Sequence, residues 1–255
     1  MAKRKKRSLL VTLVKILTGL AALSVIIFYL LDALNQPAAV RYPAFGISIP
    51  QGFEIHGIDV SRYQKNISWK EVKKMQVKQI RIGFAYIKAT EGIDRIDPQF
   101  RRNWLKAEEA GLPRGAYHFF LPGKSAKAQA DNFTETVRLR AGDLPPVLDV
   151  EQTNGKSVKE IKEKVQDWLR IVEAFYDVRP IIYTNAVFYE TYLQDDFDDY
   201  PLWVAHYLEP IAPRIGRPWQ FWQHSEQGRV NGINAAVDFN VFKGDSTAFR
   251  ALLVQ

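Results

Sequence analysis

From about Phe53 onward, short apolar segments alternate with longer amphipathic ones, and this alternation restricts the fold more than any other feature of the chain. Eight segments are predicted as strands, at 55–60, 80–88, 114–120, 147–151, 180–184, 202–206, 220–224 and 236–240. Five are predicted as helices, at 69–75, 98–110, 125–139, 158–176 and 186–193. Because each of the first five strands precedes a helix, this order is typical of parallel βαβ units.

The strand count predicts an α/β fold that closes into a barrel. Eight strands within about 200 residues fit an irregular TIM-like barrel of eight strands and five helices, in which the last three strands follow one another through loops. An open, doubly wound sheet is the alternative, but no glycine-rich nucleotide loop follows the first strand. Two helix starts carry local signals, since Asp97 before Pro98 predicts an N-cap and Ser157 with Glu160 predicts a capping box.

A long apolar segment near the N-terminus predicts one transmembrane helix that serves as a signal-anchor. Residues 9–31 carry no charge except Lys15, and 23 residues exceed the roughly 20 that a membrane-spanning helix needs. The basic tail, residues 1–8, is expected to stay cytoplasmic, which places the following domain outside the cytoplasm, in the periplasm or at the cell surface. A cleaved signal peptide is the alternative, but its apolar region is normally about 7–15 residues long.

The positive charge of the chain is concentrated in this N-terminal segment. The net charge is +7, but residues 1–31 hold six basic residues and no acid, so that 29 basic and 28 acidic residues remain for the other 224 positions. Because nucleic-acid binders carry their charge on the folded domain, no nucleic-acid partner is predicted.

Residues 32–52 are predicted as a linker, because they contain three prolines and scattered small residues. Towards the end of this segment, Phe45, Ile47 and Ile49 alternate as in a strand. Residues 53–255 form the predicted barrel domain, which we expect to be a monomer.

Four acidic residues lie near the ends of predicted strands, namely Asp59, Asp149, Glu151 and Asp238. The working residues of α/β barrels cluster at the carboxyl ends of the strands. Asp149 and Glu151 are two residues apart on an apolar strand, so their carboxylates enter the same space. Repulsion and lost hydration should leave one of the two protonated near neutral pH, and a protonated acid beside an ionised one is what glycosidic cleavage uses. The structural alternative is that such acids are helix caps or salt-bridge partners.

Aromatic residues lie at or just after the same strand ends: Tyr63, Tyr117, Tyr183, Trp203, Tyr207, Trp219 and Trp222. Aromatic faces stack on sugar rings or pack in a core, and Tyr183 and Trp203 are the first choices for a sugar-binding groove. The chain has no cysteine, which excludes thiolate metal sites, and its four histidines lack the spacing of metal ligands. The chain contains no G-x-S-x-G motif, so its sequence gives no support for a serine hydrolase.

The chain from about residue 56 to residue 242 resembles glycoside hydrolase family 25, the lysozymes of the Chalaropsis and phage-endolysin type. The matching stretches, in order, are GIDVSRYQ (57–64), YIKATEG (86–92), AGLPRGAYHFF (110–120), PPVLDVE (145–151), IIYTN (181–185), PLWVAHY (201–207), WQFWQHS (219–225) and VDFNVF (237–242). The resemblance implies a flattened barrel and a peptidoglycan hydrolase, an N-acetylmuramidase that cleaves the β-1,4 bond between N-acetylmuramic acid and N-acetylglucosamine. It implies no metal and no cofactor.

The resemblance also implies roles for single residues. Glu151 resembles the general acid, Asp149 would stabilise the reacting centre, and Asp59 and Asp238 would complete an acidic cleft. Sugar contacts are implied for Tyr63, Tyr117, Tyr183, Trp203 and Gln223. The expected nucleophile is the 2-acetamido group of the substrate itself, while direct carboxylate attack and inversion through water stay open.

Two other functions are considered. A chitinase-like glycosidase would carry a D-x-D-x-E motif, which Asp149-Val150-Glu151 fits only in part because Val147 replaces the first Asp. A non-catalytic peptidoglycan-binding protein on the same scaffold need not retain a proton donor, so the set of four acids argues against it.

Overall fold

The computed structural model describes residues 15, 17–27, 38–194 and 196–255. The chain divides into two compact units, Met1–Ala38 and Ala39–Gln255. In the first unit, residues 15 and 17–27 are helical. The other residues of the predicted transmembrane segment 9–31, and the basic tail 1–8, lie outside the described residues. Among the described residues, no helix has the length and hydrophobicity that a membrane span requires.

The second unit contains twelve described strands and six described α-helices. The strands are β1 (Ala39–Tyr42), β2 (Ile47–Pro50), β3 (Ile55–Val60), β4 (Gln76–Val77), β5 (Ile80–Glu91), β6 (Arg95–Ile96), β7 (Arg114–Phe119), β8 (Val147–Asp149), β9 (Ile181–Asn185), β10 (Leu202–Ala205), β11 (Phe221–Gly228) and β12 (Val237–Phe242). The helices are α1 (Trp69–Lys74), α2 (Phe100–Glu109), α3 (Ala126–Thr136), α4 (Val158–Tyr176), α5 (Ala186–Phe188) and α6 (Ser246–Leu252).

Eight of these strands form the closed barrel that the sequence predicts. Their order is β3-β12-β11-β10-β9-β8-β7-β5, and β5 pairs with β3 to complete the ring. Strand β12 is antiparallel to both of its neighbours, whereas the other pairs in the ring are parallel. The closure excludes the open, doubly wound sheet, and the short β4 and β6 only extend β5.

The helices follow the sequence pattern with two differences. The predicted capping box at Ser157 and Glu160 begins α4. The predicted N-cap at Asp97 is wrong, since α2 begins at Phe100. The Asp97 carboxylate instead accepts hydrogen bonds from the backbone N–H groups of Arg62 and Gln99, both at 2.9 Å, and so ties the loop after β3 to the start of α2. Helix α6 is an addition to the five predicted helices, and a π-helical turn, Tyr189–Leu193, continues α5.

The predicted linker, residues 32–52, overlaps the folded unit. Strands β1 and β2 form an antiparallel hairpin, in which β2 contains the alternating residues Ile47 and Ile49. The Phe45 ring packs edge-on against Phe239 of β12, with 5.2 Å between the ring centroids, and the Phe45 carbonyl accepts the Arg229 N–H at 2.8 Å. The second half of the segment therefore covers one side of the barrel.

Aromatic rings fill the interior of the barrel. Because alternate residues of a strand face inward, every strand of the ring contributes side chains to this layer. The buried members are Phe84, Tyr86, Leu144, Val147, Ile181, Tyr183, Trp203, Ala205, Phe221, Phe242 and Phe249. Phe249 lies on α6, so this short helix also contributes a side chain to the interior cluster.

Two inward-facing glycines make room for these rings. A Cβ atom built on Gly57 would lie 2.4 Å from the Phe84 ring, and one on Gly115 would lie 2.1 Å from Tyr86. The Phe84 ring is fixed in turn by Tyr86, Phe221 and Phe249, with centroids 6.2, 5.2 and 5.6 Å away. The interior therefore has no space for even one additional methyl group at these positions.

We expect Gly57→Ala to lower the free energy of unfolding by about 1–3 kcal/mol. The added methyl group would overlap the Phe84 ring, which the surrounding rings hold in place. Urea denaturation of the purified variant measures this loss. Gly216→Ala is the matched control, since a Cβ there meets no atom within 4 Å. Equal stability of the two variants would show that the interior adapts to the methyl group.

Candidate active site

A cleft of about 360 Å³ opens at the carboxyl ends of the parallel strands. All nine side chains predicted for the site line it: Asp59, Tyr63, Tyr117, Asp149, Glu151, Tyr183, Trp203, Gln223 and Asp238. Five further residues complete the lining, namely Ser61, Lys88, Phe119, Tyr207 and Glu226. The interior aromatic layer lies beneath this cleft, because the same strands supply both sets of inward-facing residues.

Asp59 and Asp238 form a carboxyl pair. They lie opposite each other in the register of β3 and β12 and share a hydrogen bond. Asp59 Oδ2 also accepts hydrogen bonds from Gln223 Nε2 and Asn240 Nδ2, both at 2.8 Å. Because these amide N–H groups already point at Asp59, Asp59 is the acceptor of the shared proton and Asp238 is its donor.

The protonation of this pair follows from its surroundings. Burial raises the pKa of Asp59, and the hydrogen bonds from Asn240, Gln223 and Asp238 counteract that effect. Burial, followed by the charge of Asp59 and the shared hydrogen bond, raises the pKa of Asp238 to about 9. Asp238 is therefore protonated at neutral pH, and the pair carries one negative charge.

The amides behind Asp59 are themselves fixed. Gln223 Oε1 accepts hydrogen bonds from the phenol groups of Tyr183 at 2.8 Å and Tyr207 at 2.7 Å. Asn240 Oδ1 accepts one from Trp203 Nε1 at 2.8 Å. Since both amide oxygens are occupied by donors, both amide nitrogens must turn towards Asp59.

Asp149 and Glu151 differ in exposure. Asp149 ends β8 and is 6% exposed, and its Oδ1 atom is buried without a hydrogen-bond partner in the described part of the chain. Glu151 lies in the following loop, is exposed to solvent and lines the same cleft. Burial and then the charge of Glu151 raise the pKa of Asp149 well above its usual range. Burial and then the charge of Asp59 raise the pKa of Glu151, to a smaller extent because Glu151 is less enclosed. Burial and mutual repulsion therefore favour retention of one proton by the pair, and the pKa of Asp149, the more enclosed member, rises further.

Lys88 is the only cation among the described residues that line the cleft. Its Nζ atom forms an ion pair with Glu91 Oε2 at 2.8 Å and lies 4.5 Å from the centroid of the Phe119 ring. Its charge opposes the rise of the pKa of both Asp149 and Glu151. Sequence reasoning missed Lys88, although its spacing from Phe84 and Tyr86 places it on the inward face of β5.

Glu226 was also missed, because β11 extends beyond the predicted end at residue 224.

The aromatic residues divide between the cleft and the core. Tyr63 is 68% exposed beside the cleft, whereas Trp203 is 2% exposed and forms part of its floor. Trp219 and Trp222 lie away from the cleft and pack around Phe53.

The described residues contain no group of three or more His, Asp or Glu side chains arranged to hold a metal ion. Three histidines, His56, His118 and His224, are buried. His118 lies between Thr90 Oγ1 at 2.7 Å and Gln129 Oε1 at 3.2 Å, and burial lowers its pKa to about 3. His118 is therefore a neutral, hydrogen-bonded core side chain.

We expect Asp238→Asn to reduce the loss of stability that accompanies a rise in pH from about 4 to about 9. The pKa of Asp238 is about 9 in the folded chain and about 3.9 in an unfolded one. Between these values the folded state binds more protons than the unfolded state, so the free energy of unfolding falls as the pH rises. The substituted amide keeps an N–H donor towards Asp59 but has no proton to lose.

Thermal unfolding between pH 4 and pH 9 measures this effect as a melting temperature that declines less steeply in the variant than in the wild type. Glu163→Gln on the exposed face of α4 is the control, because its carboxylate makes only a 3.9 Å contact with Lys159. Identical pH slopes for Asp238→Asn and the wild type would exclude a protonated Asp238.

Comparison with known proteins agrees with this geometry. The family model described as "Glycosyl hydrolases family 25" matches residues 58–233. The uncharacterized protein YegX of Escherichia coli (strain K12) is 50% identical over 210 residues, which cover 82% of this chain and 77% of YegX. Lysozyme M1 of Streptomyces globisporus is 37% identical over 213 residues, which cover 78% of this chain and 71% of that lysozyme.

A solved structure shares the architecture. The bacterial lysozyme from Streptomyces coelicolor matches with a TM-score of 0.72 and 35% sequence identity, over 80% of this chain and 98% of that one. The family match begins within β3 and continues past β11, so that β12 is the one barrel strand beyond it. The sequence, the closed barrel and the acidic cleft thus show that this chain belongs to glycosyl hydrolase family 25.

Proposed function

We propose that this chain is a lysozyme that hydrolyses the β-1,4 bond between N-acetylmuramic acid and N-acetylglucosamine in peptidoglycan. The observation that carries the proposal is the meeting of two acid pairs in one cleft, each of which retains a proton. A pair of carboxyl groups, one protonated, performs glycoside hydrolysis in most such enzymes. The family relationship to lysozymes supports peptidoglycan as the substrate.

Asp149 is placed to hold the acetamido group of the substrate. Its buried Oδ1 atom lacks a partner among the described residues, and an amide N–H of the substrate would supply one. Such a donor favours the ionised form of Asp149, because a hydrogen bond to a carboxylate lowers its pKa. The proton that the pair retains then lies on Glu151, the other member of the pair.

Glu151 is then the general acid. It donates its proton to the oxygen of the leaving sugar while the glycosidic bond breaks and the acetamido oxygen forms a bond to the anomeric carbon. Asp149 stabilises the positive charge that develops on the acetamido group. Water then attacks the anomeric carbon, Glu151 accepts a proton from it, and the acetamido group is restored with retention of configuration.

The remaining side chains position the sugars. Tyr63, Tyr117 and Tyr183 provide ring faces or hydroxyl groups along the cleft, and the Gln223 amide is fixed beneath it. Trp203 supports this floor through Asn240 and, at 2% exposure, offers little surface to a ligand. No metal or cofactor takes part in the proposed reaction.

We expect Glu151→Gln to reduce turnover by about 10²–10⁴-fold, because it removes the proton donor while preserving the shape of the side chain. Mass spectrometry of the muropeptides released from purified peptidoglycan identifies the cleaved bond and measures the loss. Glu163→Gln again serves as the control for a distant carboxylate.

The same assay separates the alternative functions and routes. Release of chitin oligosaccharides in preference to muropeptides would favour a chitinase-like enzyme, and binding to peptidoglycan without release of reducing sugar would favour a non-catalytic binder. NMR of the first product shows the anomer, and an inverted configuration would exclude the acetamido route. Substantial turnover by purified Glu151→Gln would remove Glu151 from the acid role.

We propose further that residues 9–31 anchor the chain in a membrane, with the barrel domain on the extracytoplasmic side and acting as a monomer. The length and apolar composition of this segment support the anchor, and the basic residues before it support the orientation. The helix at 17–27 exposes Leu20, Leu23 and Ile26, as a lipid-facing segment would. An enzyme held in this way acts on the glycan strands nearest the membrane.

We expect the full chain to sediment with membranes and to resist extraction at alkaline pH, because about 20 apolar residues insert stably into lipid. A chain lacking residues 1–31 is expected in the soluble fraction. Cell fractionation followed by immunoblotting measures both. Recovery of the full chain in the soluble fraction at its full mass would contradict the anchor, and recovery there at a reduced mass would support cleavage as a signal peptide.

A further inference from the structure

Two cavities continue from the catalytic cleft along one side of the barrel. The first, of about 450 Å³, is lined by residues 63–66, Asn234 and Ala235. The second, of about 580 Å³, is lined by Ala44, Gln227 and residues 229–236. Tyr63 lines both the cleft and the first cavity, and Asn234 and Ala235 line both outer cavities. The two outer cavities therefore adjoin, and together they are called the outer groove, which borders the cleft at Tyr63.

The charged lining residues change from mostly acidic in the cleft to basic in the outer groove, and Tyr63 lies at the boundary. The cleft is lined by five acidic residues and one lysine, whereas the outer groove is lined by two cations, Lys65 and Arg229, and by no acid among the described residues. Both cations are exposed, and neither forms an ion pair with any other described residue. An unpaired cation beside an acid-rich cleft attracts an anionic group that the cleft itself would repel.

Unused amide groups line the same groove. The exposed side chains of Asn66, Asn231 and Asn234 make no hydrogen bond within the described part of the chain. Each offers one acceptor and two donor positions, which suits the backbone of a peptide. The outer groove therefore combines positive charge with peptide-like hydrogen-bonding groups.

The floor of the outer groove is rigid. Gln64 Nε2 donates to the Ala236 carbonyl at 2.9 Å, and the Ser68 N–H donates to the Gly232 carbonyl at 2.9 Å. The backbone of Arg229 is tied to the β1–β2 hairpin through the Phe45 carbonyl. Because these contacts connect the groove to β12, α1 and the hairpin, a ligand would meet a surface that needs little ordering.

We propose that the outer groove binds the acidic peptide that branches from muramic acid, and that Lys65 and Arg229 recognise its carboxylates. The inference rests on the proposed function, since it requires a muramic acid residue in the cleft. A peptide that leaves such a sugar beside Tyr63 enters the outer groove directly. The enzyme would then favour glycan strands that carry peptides over strands from which they have been removed.

The test compares two soluble substrates: uncross-linked glycan strands that carry their peptides, and the same strands after the peptides are removed by an amidase. The kcat/KM of the full chain is measured on each by the release of reducing ends. We expect the wild type to prefer the peptide-bearing strands by about tenfold at low salt, and the preference to shrink at high salt because ions screen exposed charges. The double variant Lys65→Glu/Arg229→Glu should lose this preference while its rate on peptide-free strands stays within about twofold of the wild type.

Arg81→Glu/Arg101→Glu is the matched control, because it makes the same change in net charge at two exposed positions outside the groove. It should keep the preference. Equal cleavage of both substrates by the wild type, or a preference that persists in the Lys65 and Arg229 variant, would overturn this inference alone. Failure of the wild type to cleave either substrate would overturn the proposed function and this inference with it.

Discussion

The hydrogen bond from Trp203 to Asn240 connects the packing of the barrel to the chemistry of the cleft. The Trp203 ring lies within the interior layer, 4.8 Å from Tyr86 and 4.7 Å from Tyr183 between centroids. Its N–H fixes the Asn240 amide, which in turn donates to Asp59. The position of Asp59 therefore depends on rings that fill the barrel below it, and those rings depend on the space left by Gly57 and Gly115.

The two acid pairs differ in how completely their hydrogen bonds are satisfied. Asp59 accepts hydrogen bonds from two amides and one carboxyl group, so the proton that it shares with Asp238 is held by contacts within the folded chain. Asp149 is equally buried but leaves one oxygen without a partner among the described residues. An unpartnered buried oxygen costs free energy until a ligand supplies a donor. In the proposed reaction the proton of the second pair is the one that substrate displaces, so Asp59 and Asp238 would support the site while Asp149 and Glu151 react.

The sequence predicts those features that depend on periodic patterns. Alternation of apolar residues locates the eight strands, and the strand ends then bring all nine predicted site residues to one cleft. Features set by contacts between distant segments were not predictable. Asp97 has the local signature of an N-cap, but one of its carboxylate oxygens accepts the Arg62 N–H from another loop, and α2 begins only at Phe100. Helix α6 is short, and its place depends on the burial of Phe249 against rings from β5 and β12.

Electrostatic balance explains why Lys88 matters in the cleft and why it was not predicted. Acids draw attention as candidate catalysts, yet five of them in one cleft would repel an acidic polymer if all were ionised. Protonation of Asp238, and of one member of the Asp149 and Glu151 pair, removes two of these charges near neutral pH. Lys88, although it is paired with Glu91, offsets part of the remainder and opposes the rise of the pKa of Asp149 and Glu151. In the proposed reaction such a cleft keeps a proton to donate, and the attraction for an anionic part of the substrate comes from cations outside it.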